Sequence, residues 1–318
     1  MKKQILILLL LAGFCLPELT AAANPDSLKH YQLEGRRGIR NDNLKEAEVG
    51  FGKVLELEPE NFEALHNMGA VYSATGRNKR AREMFLRAYA IDSTNPDLLN
   101  NLGTATSNLG QHNEAVHYFE RAVKADTTNA LYLTNLGQEL LRVGRTDESL
   151  SLLQKVSARG PNDIVFYSIG NAFSVKKEFD SAEVYYSRAI EHGGKSAELH
   201  YFLGIAQRNQ GKLASADSSF KAALAIKPDY LECLQTVGMM YMRVGQYGDA
   251  VGYFERAVAV DSSYRAAWIS LGASIALSGG YQRADSILQH LYAVDTSLAF
   301  QMLDVIDHEA ARWKEQEK

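Results

Sequence analysis

The chain has 318 residues, 46% hydrophobic and 23% charged, and a formal net charge of −4. A mildly acidic chain with no basic block argues against nucleic acid and anionic membrane surfaces as main partners. Its two cysteines, Cys15 and Cys233, fall in regions of different character, so packing rather than a disulfide framework must supply stability.

The chain begins like an export leader. Lys2 and Lys3 give a positive start, Ile5 to Phe14 an apolar run, and Ala21-Ala22-Ala23 a small-residue cleavage site. The run is shorter than the roughly 20 apolar residues that span a bilayer, so direct membrane insertion is not expected. Cleavage after Ala23 gives a mature chain from Asn24, with two bases and one acid fewer, and a periplasmic or secreted location. A lipoprotein reading would place a lipid on Cys15, but Phe14 precedes it where lipoprotein signals have Gly, Ala or Ser. Cys233 then stands alone, as a small apolar residue at a helix contact.

From residue 28 onward one pattern returns about every 34 positions, the mark of a repeat array. A Leu-Gly-like beat ends at Gly69, Gly103, Gly137 and Gly204. About twelve residues later comes a small residue and then an aromatic one: Ala81 and Phe85, Ala115 and Phe119, Ala216 and Phe220, Ala250 and Phe254. The units run 28–61, 62–95, 96–129, 130–162, 163–196, 197–230, 231–264 and 265–298.

Each unit reads as two helices and a tight turn. Large apolar residues three and four apart mark the first helix, as in Leu99, Leu102 and Thr106, or Leu234, Val237 and Tyr241. Gly76, Gly110, Gly144, Gly211, Gly245 and Gly279 stand where a helix C-terminus needs a left-handed residue. Asn95-Pro96-Asp97 is a helix start: cap, Pro in the first turn, acid near the positive end. Gly103 and Ala115 are expected to face each other across a hairpin, with Phe119 filling the groove beside them. A single hairpin cannot bury both apolar faces, so each unit relies on the next. After the last unit, Phe300, Leu303, Ile306, Ala310 and Trp313 form an apolar stripe expected to cap the final hairpin; Trp313 as a partner anchor is the alternative.

These residues resemble the tetratricopeptide repeat, a family of 34-residue helix-turn-helix units. The unit from Leu231 carries its pattern in Leu234, Val237-Gly238, Tyr241, Gly245, Ala250, Phe254 and Ala257, and Pro228 keeps the family proline of the preceding unit. The end units depart from it: Glu34 and Gly38 replace Leu and Tyr in the first, and Leu288 replaces the aromatic in the eighth. The resemblance implies an all-α fold, a right-handed superhelical solenoid of about eight repeats with a C-terminal capping helix. It also implies that the second, fifth, sixth, ninth, twelfth and thirteenth positions of each first helix face a concave groove.

At those positions units two to four place His66, Asn67, Asn100, Asn101, Thr104, Asn108, Thr134, Asn135 and Gln138. Asn67, Asn101 and Asn135 share the sixth position, and an amide can pair with a peptide backbone on either hand. The row is similar to the asparagine ladder of some tetratricopeptide grooves, although Asn there is also common in the family's general pattern. Later units offer Tyr167, Tyr201, Phe202, Ile205, Met239, Met242 and Ile269, which suit an adaptable partner site or, alternatively, packing between helices. The family's carboxylate clamp is not reproduced: Arg36 and Asn67 are a fragment, and Asp97 and Asn101 stand where it needs basic residues.

No His-Glu-x-x-His, phosphate-cradling glycine loop or Gly-x-Ser-x-Gly is present. His112 and His117 are five apart with no cysteine near, and His192 precedes Gly193-Gly194 as a helix end would. No catalytic, metal or cofactor site is therefore expected. Asp-Ser/Thr steps at Asp92, Asp126, Asp180 and Asp285 are similar to O-glycosylation sites of exported proteins in one bacterial phylum, and helix-cap chemistry explains them equally well. The expectation is a non-enzymatic, exported bacterial scaffold that binds a protein or peptide partner. The alternatives are an accessory subunit of an envelope enzyme or assembly machine, and a lipid-anchored outer-membrane assembly factor. Oligomeric state is open.

Overall fold

The computed structural model describes residues 25–160 and 162–316. The leader, its cleavage site and Cys15 lie outside them. The described residues form seventeen α-helices and no strand, and the chain divides into two compact units, up to Leu152 and from Leu153.

The first unit holds α1 (Pro25–Arg40), α2 (Leu44–Leu57), α3 (Phe62–Ala74), α4 (Asn78–Ile91), α5 (Pro96–Ser107), α6 (His112–Ala125), α7 (Ala130–Arg142) and the start of α8 (Thr146–Ser157). The second continues with α9 (Asp163–Val175), α10 (Phe179–Glu191), α11 (Ala197–Asn209), α12 (Leu213–Ile226), α13 (Leu231–Arg243), α14 (Tyr247–Val260), α15 (Arg265–Leu277), α16 (Tyr281–Val294) and α17 (Thr296–Gln316). Odd-numbered helices up to α15 are the first helices of the repeats, and even-numbered ones the second.

What sets the hairpin spacing is a glycine under an aromatic ring. A Cβ at Gly103 would stand 2.8 Å from Phe119 Cε1, and one at Gly204 2.6 Å from Phe220. Gly69 with Phe85, Gly170 with Tyr186 and Gly238 with Phe254 repeat the seat at 2.5–2.6 Å. Carbon atoms normally pack at about 3.5–4.0 Å, so no side chain fits there. The ring is then sealed: Phe85, Phe220, Phe254 and Tyr186 are fully buried, each contributing about 1.5–3 kcal/mol by the area it removes from water. In the first repeat two closer approaches occur. A Cβ at Gly38 would meet the Ala47 backbone, and one at Gly50 the Gly35 backbone. Gly38 therefore does not mark a weak repeat; it lets α1 and α2 touch main chain to main chain.

The turns follow the expected chemistry, and extend it. The six anticipated glycines all have φ between 73 and 90°, the left-handed region where a Cβ costs energy. The same turn position in the first and fifth repeats holds Asp42 and Lys177, and both adopt it too, at φ 55 and 61°. Asn43, Asn61, Asn95, Asn129, Asn162 and Ser196 cap the following helices through side-chain acceptors, each worth about 1 kcal/mol.

The C-terminal helix covers the last hairpin, but on a different face from the stripe read in the sequence. Leu298, Ala299 and Met302 are buried against α15 and α16, with Val305 and Ile306 beside them. Phe300 is 56% exposed, touching only the edge of Tyr292 among aromatic rings. The reason lies in Gly272, whose added Cβ would strike Met302 Sδ at 2.5 Å. The eighth repeat lacks a second-helix aromatic, and Met302 fills the seat over its glycine instead. That rotates the buried face away from Phe300. The side chains of Ala310 and Trp313 lie outside the described ones.

Candidate functional site

Within the first unit the polar residues of the first helices are joined in rungs. Asn101 Nδ2 on α5 donates to His66 Nε2 on α3 at 2.9 Å. Asn135 Nδ2 on α7 donates to Asn100 Oδ1 on α5 at 2.8 Å. Each rung joins the fifth position of one repeat to the sixth of the next, 35 residues along. An amide nitrogen only donates, so His66 Nε2 is the acceptor and its proton sits on Nδ1. Burial lowers the His66 pKa, and the nearby Asp97 charge partly opposes the shift. A neutral ring stacked on Phe62 is the consistent state.

Asn100 and Thr134 are buried, Thr134 Oγ1 closing on Ala130 O within its own helix at 2.6 Å. Thr104 Oγ1 similarly donates to Asn100 O, and Asn67 Nδ2 to Glu63 O. His66, Asn67, Asn101, Thr104, Asn135 and Gln138 are half-buried and Asn108 is exposed, its Nδ2 3.3 Å from Asn78 Oδ1. The asparagine row is thus first a device between neighbouring helices. Each rung occupies one donor, and the Asn101 and Asn135 amides have an acceptor and a second N–H besides.

The second unit uses the same offset with different residues. Tyr201 Oη and Thr236 Oγ1 meet at 3.2 Å, and Gln235 Nε2 donates to Ser270 Oγ at 3.1 Å. Tyr201 lies against Tyr230 and Phe202, and Phe202 stacks on Tyr186. Both are half-buried and belong largely to the packing between repeats, as Met242 and Ile269 do completely. Met239 is 40% exposed. It borders a cavity of about 540 Å³ with Arg208, Leu213, Gln235, Thr236, Met240, Arg243 and Val244.

Other candidates resolve into structure. Arg36, the fragment of a clamp, forms a two-point ion pair with Glu63. Buried Glu139 on α7 accepts from Ser107 Oγ on α5 at 2.8 Å and pairs with His112 Nδ1 at 2.7 Å. The serine hydroxyl points to the carboxylate, not to the imidazole that a nucleophilic relay requires. Thr94 and Thr128 fold back onto Asp92 and Asp126 through backbone N–H and hydroxyl, closing the turns between repeats. Among the described residues no cluster of three or more His, Cys, Asp or Glu could hold a metal, and no helix is long and apolar enough to cross a membrane. Cys233 is buried and its thiol is pushed up to about 12 by burial, so it is inert at neutral pH.

Tetratricopeptide repeat models match residues 60–128 and, in a second version, residues 100–164, 167–230 and 238–292. The chain belongs to the tetratricopeptide repeat family. Among solved structures it is similar to a tetratricopeptide repeat protein from Parabacteroides merdae, at 14% identity and TM-score 0.63, covering 79% of this chain and 99% of that one. It is similar to PilW, described as a type IV pilus biogenesis factor, at 22% identity and TM-score 0.58, covering 68% and 99%. The hetero-tetramer Cut9–Hcn1 gives 16% identity and TM-score 0.64 over 79% of this chain. This chain spans about half the length of that last relative, 49%. Among curated proteins none matches. These likenesses show the fold, and tetratricopeptide repeats are generally non-catalytic interaction scaffolds.

The missed part of the site is the rung itself. Spacing by 34 aligns equivalent positions, but contacts between repeats run from one position to the next one over. A search at 35 would have paired His66 with Asn101 and Asn100 with Asn135.

Proposed function

We propose that this tetratricopeptide repeat protein is a non-catalytic, exported scaffold that holds an extended polypeptide along the faces of its first helices. The observation that carries the reading is the polar row on α3, α5 and α7: half-exposed amides at regular intervals, anchored to one another and so held in fixed orientation. A partner backbone can add hydrogen bonds of about 0.5–1.5 kcal/mol each to such pre-positioned groups without ordering them first. Export and cleavage after Ala23 are part of the proposal, and the intact mass of the mature chain tests them. A mass starting at Asn24 supports a soluble form; an acylated Cys15 refutes it.

The binding test uses the purified full chain and a permanently unfolded probe, fluorescent reduced carboxymethylated lactalbumin, followed by anisotropy. Saturable binding that weakens in Asn67→Ala/Asn108→Ala supports the reading. Asn67 ties only to its own helix backbone and exposed Asn108 only to the Asn78 side chain, so stability should hardly change. Binding of equal strength in the double variant removes Asn67 and Asn108 from the interaction, and no binding at all removes the scaffold.

A further inference from the structure

The second position of the repeat is acidic at Glu63 and Asp97 in the first unit, and at Glu198 and Glu232 in the second. In the first unit the chain supplies their partners. Glu63 holds Arg36, 27 residues before it, at two points, and Asp97 accepts the hydroxyl of Tyr132, 35 residues after it. In the second unit the same offsets lead to Asn171 and Ile205 on one side, and to buried Cys233 and Ala267 on the other. Asn171 is already engaged as the acceptor of the Tyr186 hydroxyl. Glu198 on α11 and Glu232 on α13 are exposed, and neither has a hydrogen-bond or ion-pair partner among the described residues.

An acid in the first turn suits the positive end of a helix, which accounts for the residue type. It does not account for what lies beside these two. Tyr230, immediately before α13, is only 7% exposed, yet its hydroxyl has no hydrogen-bond partner among the described residues. A hydroxyl on so buried a ring normally finds one. Burial raises the Tyr230 pKa, and the charges of Tyr201, Glu198 and Glu232 add to the rise, so both carboxylates lie around the phenol. Tyr201 packs on the Tyr230 ring with centroids 5.1 Å apart, and its own hydroxyl meets Thr236 Oγ1. The Lys227 ammonium lies over the Tyr230 ring, 4.8 Å from its centroid, rather than on either carboxylate. Two carboxylates and an unsatisfied phenol therefore share one aromatic surface, whose ring already accepts a cation.

We infer that Glu198 and Glu232, with the Tyr201 and Tyr230 rings beside them, seat arginine side chains of the bound polypeptide. Charge complementarity selects the base, and a carboxylate holds a guanidinium at two points, as Glu63 already holds Arg36 at the same place in the repeat. The guanidinium plane stacks on the phenol faces, and the Tyr230 oxygen accepts one of its remaining N–H groups. Helices in contact lie about 8–10 Å apart, and an extended chain rises about 3.3 Å per residue. Bases three positions apart therefore reach both acids. The inference rests on the scaffold reading above and names the chemistry of what is held in the second unit.

The test uses the full chain and a fluorescein-labelled peptide, blocked at both ends, with a Leu-Arg-Ser-Ser-Arg-Leu centre in Gly-Ser flanks. Anisotropy is read at about 0.15 M salt, where charges more than about 8 Å away are screened. The result expected is saturable binding, at least tenfold weaker when both Arg are replaced by Gln, and at least tenfold weaker in Glu198→Gln/Glu232→Gln. Asp304→Asn/Asp307→Asn, which removes the same charge from exposed positions on α17, should leave the affinity unchanged. The Arg-to-Gln peptide pair needs no variant, so a folding defect cannot decide the outcome. Equal affinity for the Arg and Gln peptides overturns the inference. So does an equal loss in the α17 variant, which would show only attraction between a basic peptide and an acidic chain. Unfolded lactalbumin separates the two levels. If it binds while the peptides show no charge dependence, this inference fails and the scaffold stands; if neither binds, both fall.

Discussion

Alanine normally stabilises a helix when it replaces an interior glycine, by about 0.5–1 kcal/mol. At Gly238 the sign should reverse. Its Cβ would stand 2.5 Å from Phe254 Cε1, 2.6 Å from Cζ and 2.9 Å from Cδ1. Contact at about 3.5–4.0 Å requires the ring to retreat by about 1 Å. Phe254 is fully buried, with Ala250, Leu271 and Ala273 in the same cluster, so it has nowhere to go cheaply. Overpacking of this kind costs about 1–3 kcal/mol, and after the helical gain the net loss is about 0.5–2 kcal/mol. Gly252, on α14 of the same hairpin, has open space around its Cβ direction. Gly252→Ala should stabilise by about 0.5–1 kcal/mol. Urea unfolding followed by circular dichroism compares the two midpoints against the unaltered chain. Sharing one hairpin removes the ambiguity of a repeat array whose parts unfold with different cooperativity. Gly238→Ala at or above the midpoint of Gly252→Ala would refute the glycine-seat argument.

Four further outcomes are expected. Lys177→Gly should raise stability by about 1 kcal/mol, because φ 61° is strained for lysine and not for glycine; a lowered melting temperature contradicts this. Asn101→Ala should lower stability by about 1 kcal/mol, since half-buried His66 Nε2 loses its donor; an unchanged urea midpoint would show that the rung contributes nothing. Because the His66 pKa is depressed on folding, the unfolded chain takes up the proton first as pH falls below about 6.5, and stability should fall over that range. His66→Gln should flatten that pH dependence in thermal melts, and a slope of equal size in the variant contradicts the assignment. Finally, Cys233 should resist thiol reagents at pH 8 until the chain is unfolded, its thiol being pushed up to about 12 by burial; labelling in the native state at the rate of a free thiol contradicts it.

Much of the fold was legible because it depends on residues whose size or backbone freedom is distinctive. Gly103 under Phe119, and Gly110 at φ 79°, leave a mark at a fixed interval. Less legible were positions where context overrides type. Asp42 and Lys177 adopt the left-handed turn because the hairpins on either side require it, and no residue type announces that. Met302 takes the place of a missing ring from outside the repeat, so the stripe on α17 could not be phased from its own sequence. The candidate site was legible as composition, amides in the first unit and methionine with aromatics in the second. Its geometry was not. Whether Asn101 faces a partner or His66 depends on the step between helices, which the 34-residue period conceals.

Photo-crosslinking of bound polypeptide tests the central claim most directly. A benzophenone amino acid at Asn108, at the end of α5, or at Met239 on α13 reports on the first-helix faces. The same group at exposed Val49 on α2 or Val184 on α10 reports on the second helices. With unfolded fluorescent lactalbumin as the probe, adducts should form from positions 108 and 239 and fall to background from 49 and 184. Adducts concentrated at 49 and 184, or spread equally over all four, would contradict a polypeptide held along the first helices.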